Sequence, residues 1–109
     1  MTQKQNFLSL IGRNVRHSTI KVADEEYPVD YVTPSFGDMA IYEERNKQGT
    51  TEGMVYLLGK CVYVDNEPLG EGRARTLVEE TDYSVAFALF NLLLANLNGF
   101  GDKSKDLKS

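Results

Sequence analysis

The chain has 109 residues, 41% hydrophobic and 26% charged, which suits one globular domain with a modest core and leaves no room for a second. Its formal net charge of −4 argues against a nucleic-acid binder, which needs a concentrated basic surface to displace counterions from the duplex. A single Cys and a single His exclude an intramolecular disulfide and a zinc site built from several such ligands, so no metal or other cofactor is expected.

Residues 1–17 read as a basic N-terminal arm, with Lys4, Arg13 and Arg16 around the short apolar segment Phe7 to Ile11. That segment is too brief for the apolar region of a secretory signal and lacks a small-residue cleavage pattern, so no export signal is expected. Residues 1–23 hold no acid, whereas almost every carboxylate lies between Asp24 and Asp82. Such an imbalance gives either two solvated faces or an arm that docks on an acidic surface. A single domain of hairpin plus helices is expected over residues 18–100, followed by a flexible polar tail over 101–109.

Ser18 to Val22 and Tyr27 to Thr33 are rich in β-branched and aromatic residues, and the acidic group Asp24, Glu25 and Glu26 between them supplies a polar connection. They predict a β-hairpin with Ile20 and Val22 on one face. Pro28 cannot donate a ladder hydrogen bond, so the second strand must expose part of an edge. Isolated hairpins are marginally stable, and this one must lay its apolar face on the helices that follow.

Ser35, followed three residues later by Asp38, predicts a capped helix start, with the helix running to about Gln48 and stopping at Gly49. Phe36, Met39 and Ala40 form its expected inner stripe, while Glu43, Glu44, Arg45 and Lys47 face water. A second helix starts after Thr50 or Thr51, with Met54, Val55, Leu58, Cys61 and Val62 at helical spacing. Asp65 to Gly70 is a turn by composition, and a short helix from Arg73 to Glu80 buries Ala74, Leu77 and Val78. The last helix begins near Thr81 or Asp82 and is expected to stop at Asn98-Gly99. The fold class is therefore α+β and mostly α, an N-terminal β-hairpin followed by a compact bundle of about four helices.

No constellation for catalysis emerges. His17 lies in the arm and Cys61 on an apolar helix face, where a thiol behaves as a small hydrophobe. Asp65, Asn66, Glu67 and Glu71 lack the alternating spacing and central Gly of a calcium loop. Gly70-Glu71-Gly72 is too short and too acidic to cradle phosphate, and the adjacent pairs Glu43/Glu44 and Glu79/Glu80 point about 100° apart on their helices. A protein that acts by binding, not as an enzyme, is expected.

The informative element is the last helix, because a helix apolar almost all round must be surrounded. Its most apolar segment, Val85 to Leu97, is interrupted by Asn91 and Asn96 and falls short of the roughly 18 continuous apolar residues of a membrane span. Ser84, Asn91 and Asn98, with Ala88 and Ala95, form one narrow polar stripe. The girdle exceeds what a one-stripe helix needs. Leu92, Leu93 and Leu97 toward its C-terminal end, with Leu57 of the second helix, are the expected contacts for a partner or for a homo-oligomer, and Phe87 and Phe90 the expected core.

In element order and local wording the chain resembles the small tail assembly chaperones of long-tailed, siphovirus-like bacteriophages. The resemblance spans roughly residues 19–99. It rests on a hairpin ending in Tyr31-Val32-Thr33-Pro34-Ser35-Phe36-Gly37-Asp38 at a helix start and on the helix with Leu57, Leu58, Cys61 and Val62. The turn Asp65-Asn66-Glu67-Pro68-Leu69 and the closing helix complete it. The resemblance implies a small protein of the host cytoplasm, absent from the mature virion, that binds the tape measure protein, keeps it soluble and recruits tail tube subunits. It also implies a longer product made by frameshifting, with residues 101–109 at the junction. A contrasting expectation, from charge alone, is a small acidic inhibitor or adaptor whose carboxylates between Asp24 and Asp82 mimic a polyanion on a host or phage enzyme.

Overall fold

A computed structural model describes the backbone of Leu8 and residues 11–108, and the side chains of Leu8 and residues 11–95. In chain order the elements are β1 (Arg16–Val22), β2 (Glu25–Tyr31), α1 (Phe36–Asn46), α2 (Glu52–Cys61), β3 (Val62–Val64), β4 (Glu67–Pro68), α3 (Glu71–Glu80) and α4 (Tyr83–Lys108). The mostly helical α+β class read from the sequence is the one observed.

The sheet is larger than a lone hairpin. Four antiparallel strands lie in the order β1-β2-β3-β4, the second pair contributed after α2. Both hairpins close through two-residue turns with both residues at positive φ, Ala23-Asp24 and Asp65-Asn66, the geometry that matches strand twist. The first turn is therefore tighter than expected, and Glu25 and Glu26 belong to β2. The second hairpin was legible only as a turn, because α2 runs into β3 without a loop and three residues are too few to show alternation. Pro28 pairs with Thr19 of β1 but lies beyond β3, which reaches only Asp30 and Tyr31, so the edge it requires exists.

Ser35 caps α1 as expected. Its hydroxyl accepts from the Asp38 amide at 3.1 Å and its amide donates to the Asp38 carboxylate at 3.0 Å, a reciprocal capping box. The inner stripe of α1 is not the expected one. Phe36 is 97% exposed and Ala40 is exposed, while Asp38 is buried with Met39, Tyr42, Arg45 and Asn46 partly so. Met39 keeps its expected place, packed against the core with Tyr42, and polar contacts at Asp38 and Arg45, described below, complete that face.

The core centres on α2, not on the closing helix. Val55, Leu57, Leu58 and Cys61 are fully buried, and Tyr56 nearly so. Two glycines allow this. A Cβ on Gly53 would collide with the Asn46 side chain and lie 2.6 Å from the Tyr42 carbonyl oxygen, and one on Gly59 would lie 2.9 Å from Gly70 backbone. Helices α1 and α3 thus close on α2 at backbone distance, and the Gly70 amide donates to the Gly59 carbonyl at 2.9 Å.

Helix α4 covers this core and packs against β1. Ala86, Leu89 and Leu93 are buried on it, Ser84, Asn91 and Ala95 face water, and Val85, Phe90, Leu92 and Leu94 lie half-buried. Its backbone continues past Asn98-Gly99 to Lys108, so residues 101–108 are helical where a flexible tail was expected. An interior Gly costs a helix about 1 kcal/mol relative to Ala but does not forbid it. At the other end β1 starts at Arg16, so the sheet takes Arg16 and His17 from the expected arm.

Candidate functional site

The pleat of the sheet and the stripes of α3 and α4 leave one apolar groove of about 360 Å³, open to solvent on one side. Its floor is Ile20 and Val22 of β1 with Tyr27 and Val29 of β2, extended by Val62 and Val64 of β3. Across from them stand Leu69, Leu77 of α3, and Val85 and Leu89 of α4. The alternation read in the first hairpin produces the floor, since Ile20 and Val22 do share one face. A hairpin of four or five apolar side chains set against two helix stripes buries only part of each, and Tyr27 and Val64 stay 48% and 39% exposed.

On the other flank of α4, Tyr83 and Phe87 stack at 5.3 Å between ring centroids, 76% and 44% exposed, beside a smaller cavity of about 200 Å³ lined by Met54, Val78 and Ala86. Phe87 is therefore surface, contrary to the expectation that it is core. Phe90 is half-buried against the Tyr42 ring, 5.7 Å between centroids.

The expected partner contacts divide in another way. Leu57 and Leu93 have no exposed surface and cannot touch a partner in the folded chain. They fail as contacts for a common reason: each is enclosed in the core cluster, where the sequence shows only an apolar residue among apolar residues. Leu92 is half-buried against the core, and the side chain of Leu97 lies outside the described residues.

The polar centre of the molecule is Asp38, which the sequence offered only as a capping residue. Its carboxylate accepts from Arg13 Nη2 at 2.5 Å and from the Tyr56 hydroxyl at 3.4 Å, with Lys60 Nζ at 3.7 Å and Cys61 Sγ at 3.8 Å. Arg13 also donates to the Ser35 hydroxyl at 3.0 Å, so the N-terminal segment is pinned across the start of α1. Burial, the largest single influence, pushes the Asp38 carboxyl up. The Ser35 amide and the Arg13 and Lys60 cations together outweigh it and hold the group below its ordinary value. Burial and the neighbouring Asp38 charge push the Cys61 thiol up to about 12, the reverse of what a nucleophile needs. His17 pairs instead with Asp30, Nδ1 to Oδ1 at 2.6 Å. The two side chains that invited a nucleophile and base pairing thus have separate partners.

The helices are tied by two bidentate pairs. Arg45 of α1 donates to both carboxylate oxygens of Glu71 at 3.1 Å, and Arg75 of α3 to both oxygens of Glu52 at 2.8 and 2.9 Å, with a further bond to Glu79 at 2.9 Å. Hydrogen bonding with Glu52 and then Glu79 raises Arg75 strongly, and the same contact with Arg75 lowers Glu52. Arg45, expected to face water, ties α1 to α3, while Glu79 holds Arg75 within α3. No group of three or more His, Cys, Asp or Glu side chains among the described residues could hold a metal ion. Among the described residues no helix is long and apolar enough to cross a membrane.

No protein-family model, curated protein or solved structure matches the chain.

Proposed function

We propose that this chain is a non-enzymatic phage tail assembly chaperone of the host cytoplasm that binds the tape measure protein, helps recruit tail tube subunits to it, and leaves before the virion is complete. The observation that supports this most is the open apolar groove on an acidic body. A long helical client with apolar faces needs an apolar surface to lie on, and the net negative charge keeps the complex soluble. The polar constellations of the molecule are consumed in holding it together: Asp38, Glu52, Glu71 and Glu79 are each engaged by a cation within the same chain.

The test is co-expression of the chain with the tape measure protein of the same phage, followed by purification in low and high salt. A complex that keeps the client soluble and survives high salt supports the proposal. A client that precipitates alone and in company alike refutes it. The acidic inhibitor is favoured by one observation, the carboxylates Asp24, Glu25, Glu26, Asp65 and Glu67 without an ion pair among the described residues. Polyanion mimicry through these groups would lose its target steeply as salt screens them.

A further inference from the structure

The rim of the apolar groove carries carboxylates. Val22 is the register partner of Glu25, and Val64 of Glu67, and directly paired residues share a face of the sheet, so both carboxylates belong to the face that lines the groove. Strand β2 runs antiparallel to both neighbours, so the turns Ala23-Asp24 and Asp65-Asn66 point the same way, with Val64 and Glu67 level with Val29 and Glu25 four positions further along β2. Asp24 and Glu25 thus stand at one point of the rim and Asp65 and Glu67 at a second, none in an ion pair among the described residues. Lys21, next to the first turn, is paired in register with Glu26 on the opposite face.

An apolar floor ending in carboxylates repels an anionic lipid or a nucleic acid. It also disfavours the acidic body of a second copy of the chain, whose carboxylates lie mostly between Asp24 and Asp82. What it complements is an apolar stripe flanked by basic residues. We infer that the groove is the docking site for an amphipathic helix of another protein, its apolar side chains seated between Val22, Val29, Val64, Leu77 and Val85 and its flanking Lys or Arg received by Glu25 and Glu67. Helices bind such grooves through side chains spaced three and four apart, which a floor of alternate strand residues faced by two helix stripes accommodates. The inference rests on the proposed role in holding a helical client, and it adds where the client lies and what its sequence must carry.

The experiment uses the full chain with labelled methyl groups and two synthetic helical peptides that share one Leu/Ala face, one flanked by Lys and the other by Glu. The Lys peptide is expected to shift the methyls of Val22, Val64, Leu77 and Val85 and to bind at least about 10-fold more tightly than the Glu peptide at low salt. The double variant Glu25→Gln/Glu67→Gln should shrink that advantage to below about 3-fold, and Val64→Lys, at a half-exposed position, should abolish uptake while leaving the rest of the spectrum native. Equal affinity for the two peptides, shifts confined to the Tyr83 and Phe87 flank, or the same methyl shifts on raising the concentration of the chain alone would each overturn the inference. A folded Val64→Lys chain that still holds the tape measure protein would overturn the groove and leave the chaperone role standing. Uptake of the Lys peptide in the groove by a chain that cannot hold the tape measure protein would support the groove and remove the chaperone role.

Discussion

Replacing Asp38 with Asn keeps the shape of the side chain and removes its charge, which isolates what the buried carboxylate contributes. The carboxylate is 3% exposed, and it loses the ion pair with Arg13, whose side chain is 31% exposed, and the weaker one with half-exposed Lys60. Breaking a fully buried pair costs about 3–5 kcal/mol, but Arg13 can recover part of its hydration here, and the Asn oxygen can still accept from the Ser35 amide. The expected loss is therefore about 2–3 kcal/mol, against a total stability of about 5–15 kcal/mol for a domain of this kind. In urea, with a slope of about 1.5 kcal/mol per M, the midpoint should fall by roughly 1.3–2 M. Because the folded state holds Asp38 below its ordinary value, its contribution is present at pH 7 and lost as pH falls from about 4 through the folded value. The gap between native chain and variant should narrow over that acid range. A gap below about 0.5 kcal/mol at pH 7, or one that stays constant into acid, would refute the reasoning.

Gly59→Ala places a methyl group 2.9 Å from the Gly70 backbone, which cannot step aside as a side chain could, and should cost about 1–3 kcal/mol by chemical denaturation. Ala23→Gly should stabilise the chain by about 0.5–1 kcal/mol in the same assay, because Ala23 holds φ +53 in the first hairpin turn, a region glycine enters freely. Cys61 should react with a thiol reagent at pH 8 only as fast as the chain opens, since the thiol is fully buried and pushed up to about 12. Rapid stoichiometric labelling of the native chain would contradict its placement.

Those features whose causes are local were the ones readable in the sequence. Ser35 and Asp38 sit at the spacing of a capping box, and they form one. Ala74, Leu77 and Val78 lie on one stripe of a short helix and are buried or half-buried there. The role of Asp38 beyond the cap was hidden because Arg13, Tyr56 and Lys60 meet it from 25, 18 and 22 positions away, distances over which no periodic pattern operates. The central place of α2 is hidden for a related reason. Gly53 and Gly59 lower the hydrophobicity of α2, yet they are what lets its neighbours approach, whereas the girdle of α4 advertises burial that the small body cannot provide all round. Part of that excess surfaces at Phe87 and Tyr83, and part lines the groove through Val85 and Leu89. The strands of the first hairpin were legible, but the groove was not, since it requires β3 beside them and α3 and α4 across from them.

The central claim, that the chain works by apolar docking of a helical client in the groove, is tested most directly by capture of the tape measure protein. Native and Val64→Lys chains should be compared at low salt and at about 1 M, where the screening length is only about 3 Å. The expected result is capture by the native chain at both salt concentrations, weakened less than about 10-fold at the higher, and loss of capture by a folded Val64→Lys chain. Capture that collapses with salt in the native chain and is untouched by Val64→Lys would contradict the claim.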